Sequence, residues 1–136
     1  MKGDLVVFED KNVRRTWHDG EWWFVAVDII AVLSNSKDPA GYLKDMRRRD
    51  ESFNKGWGQI ATPLLIETQG GKQKINCVSL KGAFRIIQSI PSQKAEPFKQ
   101  WLAQVGYERI QEIEDPELGQ DRIKEYYELK GYFKIC

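Results

Sequence analysis

Short segments rich in apolar and aromatic residues and bounded by turn residues are typical of strands. The strands that this pattern predicts are Leu5–Glu9, Val13–Trp17, Glu21–Ala26, Ile60–Thr68 and Lys72–Ser79. Asp19-Gly20 suits the positive φ angles of a type I′ turn, and Gly70-Gly71 stands at the tip of the second pair. We therefore expect one short strand followed by two β-hairpins.

Longer segments carry apolar residues at helical spacing instead. The predicted helices are Val27–Leu33, a helix that begins at Asp38-Pro39 and reaches residue 49, Leu80–Ile90, a helix after Pro91-Ser92 that continues through Ile113, and Leu118–Leu129. Ser79 is a suitable N-cap and Gly131 a suitable C-cap. Residues 50–59 lack periodicity and contain Gly56 and Gly58, which predicts a loop. The fold class is therefore α+β, with short antiparallel strands in two β-hairpins, a helix-turn-helix-like pair between them, and C-terminal helices.

The helix pair over residues 27–49 carries the clearest functional pattern. Asp38 and Pro39 mark the start of its second helix, because Asp accepts an orphan N–H and Pro has the φ angle of a first turn. Leu43 and Met46 lie on one side of this helix, and basic residues recur on another. A tight turn between two helices, with the second basic and exposed, is typical of modules that insert a helix into the DNA major groove.

Basic residues supply the candidate contacts to double-stranded DNA. They are Lys37, Lys44, Arg47, Arg48 and Arg49 in the helix pair, Lys55 in the predicted loop, and Lys72 and Lys74 near the tip of the second hairpin. Lys and Arg neutralise phosphates, and the Arg fork matches guanine O6 and N7. Alternatively, cations near a helix C-terminus merely complement the helix dipole. We favour DNA contact for the helix, whereas ordinary solvated surface is the preferred interpretation for Lys55 and the hairpin lysines.

The aromatic residues and the Arg14-Arg15 pair receive structural interpretations. One face of the sheet must meet the helices, so most of the aromatic side chains are assigned to the core, with stacking platforms for single strands as the alternative. This aromatic set is Trp17, Trp22, Trp23, Phe24, Phe98 and Trp101. Charges at Arg14 and Arg15 are assigned to an edge strand, where they oppose aggregation.

Charge divides the chain into two parts. The 136 residues carry a net charge of +1, but residues 1–100 hold 16 Lys/Arg against 12 Asp/Glu, whereas residues 101–136 hold 5 against 8. We interpret residues 1–106 as a DNA-binding domain and residues 107–136 as an acidic helical extension. The extension is amphipathic, and its candidate interface residues are Ile113, Leu118, Ile123, Tyr126 and Tyr127. They would pack on the chain's own domain, form a homodimer, or dock on another protein.

Other functional classes find little support in the sequence. There is no glycine-rich phosphate loop and no zinc-type cluster, and His18 is the only histidine, so we predict no enzymatic activity and no cofactor. No apolar run approaches the length of a membrane span, and no signal peptide is apparent, so we expect a cytoplasmic protein without membrane contact. In that setting Cys77 and Cys136 are expected to be reduced thiols.

Three segments of this sequence resemble a known family. Trp22-Trp23-Phe24-Val25-Ala26-Val27-Asp28-Ile29 followed by Leu33, the helix start Val78-Ser79-Leu80-Lys81-Gly82, and Phe98-Lys99-Gln100-Trp101-Leu102 resemble landmarks of the BRO family N-terminal domain of prophage antirepressors. The closing segment GYERIQEIEDPELGQDRIKEYYELKGY is similar to the DNA-damage-inducible protein D branch. This resemblance implies a DNA-binding module in phage-derived or stress-linked gene regulation.

The resemblance also frames the alternatives. Many members continue into a second domain, and we expect this chain to be the N-terminal part of something longer. Either the domain docks a basic helix on duplex DNA to regulate transcription, or it is a protein-interaction module that binds and inhibits a repressor or repair protein.

Overall fold

A computed structural model of the chain describes residues 13–131. The strand predicted over Leu5–Glu9 lies outside the described residues, as does Cys136. The chain forms two compact units, Met1–Lys99 and Gln100–Cys136. The strands are β1 (Arg15–His18), β2 (Glu21–Val25), β3 (Ala61–Thr68) and β4 (Gly71–Ser79). The helices are α1 (Ala26–Ser34), α2 (Pro39–Arg49), α3 (Glu51–Ile60), α4 (Leu80–Ser89), a 3-10 turn (Gln93–Ala95), α5 (Glu96–Glu114) and α6 (Glu117–Leu129). The α+β class predicted from the sequence is confirmed.

Both predicted hairpins are present, and they join into one antiparallel sheet. The strand order is β1-β2-β4-β3, because β2 pairs with β4 through Trp23 opposite Ser79 and Val25 opposite Cys77. Asp19 and Gly20 have φ angles of 50° and 80°, as a type I′ turn requires. The sheet curls until its two edge strands, β1 and β3, contact each other. Its inner face encloses a cluster of Val25, Ile66 and Cys77, against which partly buried Trp23, Val27, Leu64 and Ile75 pack.

Residues 50–59 form a helix, so the prediction of a loop there is wrong. Asp50 caps α3 by accepting a hydrogen bond from the Phe53 amide at 3.0 Å. Phe53 and Trp57, four residues apart, are both buried on the same side of the helix. Burial of two aromatic side chains outweighs the cost of about 1 kcal/mol for each helical glycine. The helical periodicity of apolar residues is weak in this sequence, because Phe53 and Trp57 are the two buried residues of α3.

Helices α1 and α4 supply much of the remaining core. Ile29, Ile30 and Leu33 of α1 and Ile86 and Ile87 of α4 are buried. The predicted N-cap of α4 is confirmed, since Ser79 Oγ accepts a hydrogen bond from the Gly82 amide. Both helices therefore use one apolar side to cover the sheet.

Helices α5 and α6 differ from the rest, because no residue of either helix is buried. Their predicted bounds are confirmed within two or three residues, and Gly131 after α6 has a φ of 77°, as expected for a C-cap. Over residues 13–131, no helix combines the length and the apolar character needed to cross a bilayer.

Candidate nucleic-acid interface

Helix α2 begins with the capping arrangement that the sequence predicts. Asp38 Oδ1 accepts a hydrogen bond from the Gly41 amide at 3.1 Å, and Pro39 occupies the first helical position. A Cβ atom at residue 41 would lie 2.2 Å from Asp38 Oδ2, so a larger residue there would require the Asp38 carboxylate to shift. Gly41 thus fits closely against the cap at the start of the helix.

The two sides of α2 differ as the sequence pattern predicts. Leu43 and Met46 are buried against the neighbouring helices α1 and α3. Lys37, Lys44 and Arg48, at helical spacing, are exposed. We call this set, together with exposed Arg49 at the last position of α2, the α2 basic face. It presents three cationic side chains from α2 and a fourth, Lys37, from the turn just before the helix.

Arg47 has a different environment from its neighbours. Its Nε donates a hydrogen bond to Asn54 Oδ1 at 2.9 Å, and its guanidinium lies 5.5 Å from the ring centroid of Trp57. Both partners belong to α3, so Arg47 joins α2 to α3. The helix that the sequence did not predict therefore supplies the partners of Arg47.

Two other candidate cations form exposed ion pairs within their own helices. Arg48 contacts Asp45 at 3.0 Å, and Lys55 on α3 contacts Glu51 at 3.1 Å. Solvent-exposed pairs of this kind contribute little, with a median of about 0–1 kcal/mol. A phosphate can therefore replace either carboxylate at small cost.

The hairpin lysines lie on another element. Lys72 and Lys74 are exposed on one face of β4, opposite Glu67 and Leu65 of β3. Their alternation onto one face agrees with the sequence pattern. The structure thus gathers the α2 basic face on one helix, places Lys55 on the adjoining helix, and leaves Lys72 and Lys74 in the sheet.

An exposed aromatic pair on the first hairpin was missed from the sequence. Trp17 and Trp22 are 59% and 41% exposed and meet edge to face, with ring centroids 5.2 Å apart. The Arg15 guanidinium lies 4.0 Å from the Trp22 centroid, in cation–π geometry. The assignment of these two tryptophans to the core is therefore wrong, whereas Phe24, two residues after Trp22 on the same face of β2, is buried. Cross-strand pairing through the predicted type I′ turn was the available signal.

Arg14 has a structural role that the sequence did not indicate. Its backbone N and its guanidinium donate three hydrogen bonds to the carboxylate of Asp28, at 2.8 to 3.0 Å. These bonds raise the pKa of Arg14 above its usual value. The interaction attaches the start of β1 to the first turn of α1, across fourteen positions of sequence.

The metal-ligating and thiol side chains of the described residues are dispersed or buried. Within residues 13–131, no three His, Cys, Asp or Glu side chains are grouped to hold a metal ion. Cys77 lies on β4 in the buried cluster that the sheet encloses, and burial raises the pKa of its thiol to about 11. This thiol is therefore neutral at physiological pH and is a poor nucleophile.

The candidate interface residues of the C-terminal helices are all accessible. Exposed side chains at these positions are Ile113, Leu118, Ile123, Tyr126 and Tyr127. The Glu112 carboxylate on α5 accepts hydrogen bonds from two nitrogens of Arg122 on α6, at 2.8 and 2.7 Å. These bonds lower the pKa of Glu112.

Comparison with known proteins adds one match. The family model for the BRO family, N-terminal domain, matches residues 12–108 of the chain. No curated protein and no solved structure matched the chain. The match covers both hairpins, helices α1 to α4 and the first part of α5.

Proposed function

The chain belongs to the BRO family through its N-terminal domain, and on that premise we propose that it docks the α2 basic face on duplex DNA. The family is a DNA-binding domain of antirepressor-type proteins, which supports a DNA-binding regulatory role. The observation that carries the docking mode is the α2 basic face itself, a rigid helix with its apolar side buried and its cations in solvent.

Physical chemistry assigns different tasks to these residues. Lys44 and Arg48 lie on the exposed side of α2 and Lys37 lies in the turn before it, and each can neutralise one phosphate and release its counterions. Arg48 is also able to read guanine through its two-pronged guanidinium once Asp45 has been displaced. Arg47 contributes indirectly, since its bond to Asn54 fixes α2 against α3.

We further propose a role in the response to DNA damage. The support is the similarity of residues 106–132 to the DNA-damage-inducible protein D branch of BRO-domain proteins. In this proposal the protein acts in the cytoplasm as a transcription regulator without enzymatic activity or a cofactor.

The test is binding of the full chain to random-sequence duplex DNA, followed by fluorescence anisotropy across a salt series. Four phosphate contacts from the α2 basic face predict a log–log salt slope of roughly −3.6, at about −0.9 per contact. Lys44→Ala with Arg48→Ala should weaken binding and reduce the slope to roughly −1.8. The matched control is Lys81→Ala with Lys124→Ala, which removes two exposed cations elsewhere and should leave the slope nearly unchanged.

Equal slopes for the two double variants would refute docking through α2. If the wild-type chain also failed to bind duplex DNA at low salt, the alternative of a protein-interaction module that inhibits a repressor or repair protein would become the better account.

A further inference from the structure

Helices α5 and α6 meet each other through polar groups. The Glu112 side chain, only 11% exposed, lies between the helices and forms a two-pronged ion pair with Arg122. Gly119 lies close to the same carboxylate, since a Cβ atom there would stand 3.4 Å from Glu112 Oε1. The contact between these helices therefore includes a partly buried ion pair and a closely approaching glycine.

The isoleucines of this hairpin instead face solvent. Ile110, Ile113 and Ile123 are 56%, 68% and 48% exposed. Ile113 and Ile123 line one shallow groove of about 280 Å³ together with Pro116. We call this side of the hairpin, with the neighbouring exposed Tyr127, the isoleucine flank. Apolar side chains outside and an ion pair inside are the reverse of the usual order for packed helices.

The distribution of charge limits what can cover this flank. Residues 100–131 carry eight carboxylates, the most acidic part of the chain. Helical spacing places Ala103, Gly106, Ile110 and Ile113 in one row on α5, and Gln120, Ile123 and Tyr127 in one row on α6. None of the eight carboxylates occupies either row. The groove beside the rows is also lined by Arg109, Glu112 and Arg122, and the Glu112 carboxylate is already paired with Arg122. The charges at this flank are therefore mixed in sign, and two copies can meet here without a block of like charges facing each other.

The apolar area agrees with a self-association surface. At roughly 100 Å² of exposed area for each half-exposed large side chain, the flank offers about 400 Å² of apolar surface per copy. A standard interface buries about 800 Å² per partner, and a little over half of that is apolar. The small side chains of Ala103 and Gly106 also permit close approach of a second helix.

From these observations we propose that the isoleucine flank is the interface of a homodimer, in which the α5–α6 hairpins of two copies form a four-helix bundle. The interface is isologous, so each isoleucine row faces its own symmetry mate. The resulting dimer carries two α2 basic faces and suits two half-sites on duplex DNA. Dimerisation itself depends only on residues 100–131 and is independent of the DNA-binding proposal.

Sedimentation equilibrium of the full chain tests this proposal. The expected mass is twice the 15.8 kDa of one chain at concentrations of about 10–100 µM. Ile113→Glu with Ile123→Glu should weaken dimerisation by about 100-fold or more, because it places four carboxylates in the interface. The matched control is Leu118→Glu with Leu129→Glu, two exposed leucines that helical spacing places on a different side of α6.

Three results would overturn the proposal. These are a monomeric wild-type chain at about 100 µM, an isoleucine variant that dimerises like the wild type, and a leucine variant that dissociates equally. A monomeric wild-type mass overturns the proposal even if the charged isoleucine variant fails to fold. Lys44→Ala with Arg48→Ala should remain dimeric, so failure of dimerisation and failure of DNA binding are distinguishable.

Discussion

Replacement of Gly56 by Ala tests the helix at residues 51–60, which the sequence pattern did not predict. Gly56 lies in the middle of α3, and a Cβ atom there would find no heavy atom within 4 Å. Alanine is more favourable than glycine in a helix interior by about 0.8–1.0 kcal/mol, and the new methyl group has open space. We therefore expect Gly56→Ala to raise the free energy of unfolding by about 0.5–1 kcal/mol and the melting temperature by about 3 °C.

Gly82→Ala is the matched contrast, also within a helix. A Cβ atom at residue 82 would lie 2.9 Å from Val78 Cβ and 3.3 Å from both Ile60 Cβ and the Ile60 carbonyl oxygen. Overpacking of this kind costs about 1–3 kcal/mol, which exceeds the gain in helix propensity, so this variant should be less stable. The measurement is urea denaturation of each variant, monitored by far-ultraviolet circular dichroism. A neutral or destabilising effect of Gly56→Ala would refute the helical conformation of residue 56.

Further predictions concern single side chains of the first unit. Arg47→Ala should lower the urea midpoint of unfolding, because it removes the link to α3. It should leave the DNA salt slope unchanged, because this side chain contacts no phosphate in our proposal, and a slope reduced by about 0.9 would contradict that assignment. Asp28→Asn should destabilise the chain by about 1–3 kcal/mol, since Arg14 loses a charged acceptor. The measurement is a thermal melt, and an unchanged melting temperature would argue against that contact. In a Cys136→Ser background, Cys77 should resist iodoacetamide at pH 8 until urea is added. Burial raises the pKa of Cys77 in the folded state, so the free energy of unfolding should fall as the pH rises from about 9 towards 11 in that background but not in Cys77→Ala. Rapid alkylation of the folded chain would contradict the burial of this thiol.

Local signals in the sequence predicted most of the elements correctly. Asp19-Gly20 requires positive φ angles whatever surrounds it, and Asp38-Pro39 satisfies the first turn of a helix by its own side chain and ring. The exposed position of Lys44 and Arg48 follows from helical spacing opposite Leu43. These features depend on residues within one or two turns, so they can be read without a fold.

Longer-range contacts decided the remainder. Helix α3 forms because Phe53 and Trp57 find a core to enter, and the two glycines between and after them hide that tendency in the sequence. Arg47 and Arg48 are adjacent and chemically identical, yet Arg47 bonds to Asn54 on α3 whereas Arg48 pairs with Asp45 on its own helix.

The sequence by itself determined the class of fold, the hairpin turns and the basic side of α2, since each arises from backbone geometry and spacing within a short segment. Only the tertiary structure decided that the hairpins join through β2 and β4, that Arg14 is bound to Asp28, and that Ile113 stays exposed beside the Glu112–Arg122 ion pair. Burial and pairing of this kind depend on which distant surfaces meet in the fold. Hydrophobic periodicity predicts that one face of a helix is apolar, but it does not predict which element packs against that face.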